Sequence, residues 1–102
     1  MAVYHIVLFR LKQGVTPAQL AQWSKISQAM VGQVPGLKSL KTNTPLPICV
    51  PRAKGFDMGL VAVLEKPEDL PVYAVHPAHL EVQKLREEIC EDTLAYDLEF
   101  EE

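Results

Sequence analysis

Val3-Tyr4-His5-Ile6-Val7-Leu8-Phe9-Arg10-Leu11 decides the fold, because it alternates as a strand does and yet is apolar on both sides. From Tyr4 to Leu11, residues His5, Val7, Phe9 and Leu11 share one face of the expected strand, and Tyr4, Ile6 and Leu8 share the other. A strand with two oily faces needs cover on both. Downstream, Thr16-Pro17 reads as an N-cap followed by a first-turn proline, and Ala18, Leu20, Ala21, Ile26, Ala29, Met30 and Val34 keep helical spacing as far as Pro35-Gly36. A second strand is expected over 37–42. Residues 43–55 carry three prolines, Cys49 and two basic residues in a long loop of the kind that often serves function. Residues 56–64 read as a third strand, again apolar on both faces apart from Asp57 near its start. A short helix over 66–75, a longer one from Pro77 to about Glu91 and a final strand over 93–101 complete the order β-α-β-β-α-α-β.

That order is the ferredoxin-like arrangement, α+β in class, with a four-stranded antiparallel sheet and helices on one face. In a chain of 102 residues the helices can cover only one side of the sheet, so the other must find cover elsewhere. A second copy laying its sheet on the first provides it, and a homodimer is expected. The competing reading has the loop 43–55 fold over the open face.

Size and charge narrow the function. The length fits a single domain over 1–102. A net charge of −3 with scattered Lys and Arg argues against nucleic acid, which requires a clustered basic surface. No stretch approaches the roughly 20 apolar residues of a membrane span, so no membrane partner is expected. Cys49 and Cys90 lack metal-type spacing and read as free thiols in a reducing compartment, which gives a cytoplasmic expectation. Lys38, Lys41, Arg52 and Lys54 gather near the second strand and the long loop, as solvated surface or as a lure for an anionic group. Asp97, Glu99, Glu101 and Glu102 read as a solvated acidic terminus that discourages edge pairing.

Chemistry concentrates in Tyr73-Ala74-Val75-His76-Pro77-Ala78-His79, which places two of the three histidines and a phenol beside a helix start. Imidazole exchanges a proton near neutral pH without extreme tuning. Pro77 biases His76 to an extended backbone and fits the first helical position. His76 therefore reads as a brace for the turn. Three imidazoles, His5, His76 and His79, would suffice for a zinc ion, but their spacing fits no standard zinc signature, and no metal is expected.

Together the opening strand, the helix from Thr16, the Val34-Pro35-Gly36-Leu37 turn, the Gly55-Phe56 entry to the third strand and the Tyr73 to His79 segment resemble the stress-responsive A/B barrel domain family over nearly the whole chain. The resemblance implies a dimeric α+β barrel. It also implies similarity to plant polyketide cyclases of the olivetolic acid type, which close a carbonyl-rich chain by intramolecular aldol chemistry without a cofactor. By position, it makes His79 the general base, Tyr73 a hydrogen-bond donor to the developing oxyanion and His5 an orienting or relaying group. Met58 stands where the cyclases have a further pocket histidine, and Ser24 and Ser27 stand where they have aromatics. The implied substrate contacts are thus Met58, Trp23, Ser27 and Phe9, around a small apolar or polyketide-like ligand. Other family members are stress-induced proteins without an assigned reaction, so the alternative is a non-catalytic small-ligand-binding protein.

Overall fold

A computed structural model describes residues 1–101; Glu102, the last of the acidic terminus, lies outside them. The elements are β1 (Ala2–Leu11), α1 (Pro17–Gln28), β2 (Leu37–Asn43), a 3₁₀ turn at Val50–Arg52, β3 (Met58–Leu64), α2 (Asp69–Val75), α3 (Pro77–Ile89) and β4 (Cys90–Phe100). The strands lie in the order β2-β3-β1-β4, and each neighbouring pair is antiparallel. This is the ferredoxin-like topology. The doubly apolar strand takes the centre: β1 pairs Val7 with Leu60 on one side and with Ala95 on the other. Among the described residues, no helix is long and apolar enough to cross a membrane.

Local chemistry fixes the helix starts. Thr16 caps α1 reciprocally: its Oγ1 accepts from the Gln19 N–H at 3.2 Å, while the Gln19 Oε1 accepts from the Thr16 N–H at 2.8 Å. α1 stops at Gln28, short of Val34, because the chain passes into turns through Gly32 at φ +93°. Helical spacing persists beyond that stop since the Val34 N–H still reaches the Met30 carbonyl at 2.9 Å, which keeps both side chains in the core. At Gly36 (φ +82°) any Cβ would sit 2.3 Å from the Asp69 carboxyl carbon. Only glycine fits there.

One face of the sheet carries Val3, Val7, Phe9, Leu60, Ala62 and Leu64, which pack with Trp23, Met30, Val34, Tyr73, Val82 and Ile89 from the helical layer. The other face stays bare. Val61 is 44% exposed, Leu94 51% and Tyr96 62%. The long loop does not cover it, for Leu46 and Ile48 are themselves exposed at 71% and 75%. Asp57 ties the loop's end to β1 through its Oδ1, which accepts from the Leu11 N–H at 2.9 Å.

Candidate functional site

On the helix-facing side, the sheet and the α2-α3 pair enclose a cavity of about 320 Å³. Its polar groups are His5 from β1, Tyr73 from α2, His79, Gln83 and Arg86 from α3, and Thr93 and Asp97 from β4. Apolar surface comes from Val7, Phe9, Trp23, Leu60, Leu70 and Val82.

The break between α2 and α3 builds the centre of this site. His76, extended at φ −65° and ψ 138° as its place before Pro77 requires, ends α2 and caps α3, its Nδ1 accepting from the Ala78 N–H at 3.1 Å. The Ala74 carbonyl, in the last turn of α2, is left without a helical partner. His79 supplies one: its Nδ1 lies 3.0 Å from that oxygen. A carbonyl can only accept, so Nδ1 carries the proton and a neutral ring keeps Nε2 as a free acceptor. Burial lowers the His79 pKa below its ordinary 6.5, Arg86 and His5 push the same way, and the bond to Ala74 opposes them. The ring is therefore neutral at pH 7.

Tyr73 is 3% exposed and sits between the other rings, its centroid 4.5 Å from His79 and 5.1 Å from His5. Burial pushes its hydroxyl up to about 12, against the Arg86 charge and with added repulsion from Asp97. It stays a donor throughout the physiological range. His5 directs Nδ1 at the Asp97 Oδ1, 2.5 Å away, across the β1-β4 pair in which these two residues stand opposite each other. The carboxylate accepts, which fixes the His5 tautomer and holds the ring against the cavity.

His5, Tyr73 and His79, expected from the sequence, are thus brought together, and Phe9 and Trp23 line the same space with their rings 5.0 Å apart. Met58 and Ser27 do not line it. Met58 packs into the core opposite Phe9 at the start of β3, and Ser27 is fully buried one helical turn beyond Trp23 with its hydroxyl unpartnered. His76 is spent on its cap. Among the described residues, no group of three or more His, Cys, Asp or Glu is arranged to hold a metal ion.

Two site residues escaped the sequence reading. Asp97 was grouped with the solvated acidic terminus, yet its alternation with Leu94, Tyr96 and Leu98 already put it on the inward face of β4, where pairing with β1 sets it against His5. Arg86 takes no part in the sequence reading. The spacing His79, Val82, Gln83, Arg86 was the available signal, since it runs along one face of α3.

Comparison with known proteins fits this geometry. No curated protein matches the chain. Among solved structures, it is 25% identical to the hydroxynitrile lyase of Passiflora edulis, with a TM-score of 0.86 over 99% of this chain and 94% of that one. It is 26% identical to a dimeric ferredoxin-like protein of unknown function from Thermobifida fusca, with a TM-score of 0.83 over 98% and 92%. An Arabidopsis thaliana protein shares the fold at 22% identity, with a TM-score of 0.87 over 98% and 96%. The model of the stress responsive A/B barrel domain matches residues 3–100, from the first central strand to the last, and with that span the chain belongs to the stress responsive A/B barrel domain family.

Proposed function

We propose that this protein is a cofactor-independent enzyme that moves a proton on a carbonyl-rich small molecule and so makes or breaks a carbon–carbon bond, with intramolecular aldol closure of a polyketide-like chain as its specific form. The observation that carries this reading is the His79 ring, neutral at pH 7, locked by Ala74 with Nε2 unprotonated, and set 4.5 Å from the Tyr73 ring in a largely apolar cavity. A methylene between two carbonyls is acidic enough for a positioned imidazole. His79 takes its proton, the enolate carbon attacks a second carbonyl of the same molecule, and that carbonyl's π bond becomes an alkoxide. Tyr73 donates a hydrogen bond to the oxygen where charge gathers, and the imidazolium returns the proton to the alkoxide. His5, braced by Asp97, orients the substrate.

The structural likeness to a hydroxynitrile lyase lends support, because cyanohydrin cleavage likewise couples a proton transfer to the breaking of a carbon–carbon bond: the hydroxyl loses its proton, its oxygen becomes the carbonyl, and cyanide leaves. Two probes test the reading: a linear triketo thioester for ring closure and mandelonitrile for cleavage. The expected result is turnover of at least one above the buffer rate, reduced about 10²–10⁴-fold in His79→Ala with the melting temperature nearly unchanged. Undiminished turnover in that variant would overturn the assignment, and binding of the probe without conversion would favour a ligand carrier.

The bare face of the sheet is best covered by a homodimer in which Tyr4, Ile6, Leu8, Leu94, Tyr96 and Leu98 face their copies across a two-fold axis. The similar Thermobifida fusca protein is dimeric. Tyr96→Glu would place a charge in such an interface, and sedimentation should then find monomers where the unaltered chain gives dimers.

A further inference from the structure

We propose that Arg86 makes this cavity selective for a substrate that carries a carboxylate on an otherwise apolar body. The inference rests on reading the cavity as a substrate site and names a group that its preferred substrate carries. Arg86 stands two turns beyond His79 on the same face of α3 and, among the described residues, is the only Lys or Arg that lines the cavity. It is half-buried, and its guanidinium makes no hydrogen bond or ion pair with any described residue. An unengaged fork of five N–H donors beside apolar surface is matched to a planar anion.

The surrounding acids do not satisfy it. Asp97, the one carboxylate among the described residues of the lining, is held by His5 at 2.5 Å. Arg86 also borders an adjoining groove with Glu87, Glu91 and Asp92, but Asp92 pairs with Arg10 at 3.0 Å, Glu87 accepts from Gln83 at 3.3 Å, and Glu91 points to solvent without an ion pair. A ligand carboxylate would meet the guanidinium in two parallel charge-assisted hydrogen bonds while its hydrocarbon part rests on Val7, Phe9 and Trp23. Because the helix fixes the separation of Arg86 from His79, the anchor also decides which carbon of the ligand reaches the base.

Isothermal titration at pH 7 and low salt with 4-phenylbutanoate and its primary amide isolates this effect. The unaltered protein is expected to prefer the acid by about tenfold or more, Arg86→Gln to abolish that preference by weakening the acid alone, and Arg86→Lys to keep part of it. The unchanged affinity for the amide doubles as a check on folding. Equal affinity for acid and amide in the unaltered protein, failure of both to bind at millimolar concentration, or an undiminished preference in Arg86→Gln would each overturn the proposal. No proton is transferred in this assay, and the preference should survive His79→Ala, so its failure is distinct from failure of the catalytic reading.

Discussion

The helix-facing side of the sheet is closed over β2 and β3 and hollow over β1 and β4. At the closed end Met30, Ala62 and Leu64 are wholly buried and Leu40 is 2% exposed, with α1 and the turns after it packed down on them. At the hollow end the inward residues of β4 are Thr93, Ala95 and Asp97, which stand opposite Phe9, Val7 and His5 and remain exposed. Small and polar residues on one strand leave the space; large apolar residues on the other fill it. The difference separates what holds the domain together from what is free to meet a ligand.

Mutations can sharpen that contrast. The largest effect is expected at the closed end: Leu64→Ala should cost about 2–5 kcal/mol in denaturant unfolding, since a fully buried leucine leaves both lost burial and a cavity. Gly36→Ala should cost roughly 1–2 kcal/mol for the left-handed backbone alone, with more for pushing the Asp69 carboxylate aside. At the hollow end Ala95→Leu should shift stability by no more than about 0.5 kcal/mol, because the added atoms enter empty space, yet it should block 4-phenylbutanoate from the cavity. A stability loss there as large as at Leu64 would erase the distinction.

Much of this was legible in the residues. The doubly apolar β1 announced both a buried helix-side face and a bare opposite face, and Thr16-Pro17 marked the start of α1 because capping chemistry is local, whereas Pro35-Gly36, expected to end that helix, marks only the entry to β2. The end of α1 was not legible, since turns that keep an i to i+4 bond preserve helical spacing after the helix has ended. The bracing role of His76 was anticipated from Pro77, which dictates the backbone of its predecessor. Asp97 and Arg86 were hidden for a common reason: each joins the site through its neighbours in space, Asp97 through the β1-β4 register and Arg86 through the packing that sets its face of α3 against the cavity. Met58 and Ser27 show the converse, inward-facing positions that the packing keeps away from the cavity.

The catalytic reading depends on the protonation of one ring, and nitrogen-15 NMR of the histidines across a pH titration reads it directly, with no substrate required. His79 should show its proton on Nδ1 at pH 7 and should titrate below 6.5, because burial disfavours the imidazolium. Being depressed in the folded state, this titration also removes stability as the pH falls below 6.5 and not as it rises. Activity should follow the same sign, climbing as the ring loses its proton and then holding level, with Tyr73 still protonated until about pH 12. A proton found on Nε2 at neutral pH, or a titration above 6.5, would contradict the account.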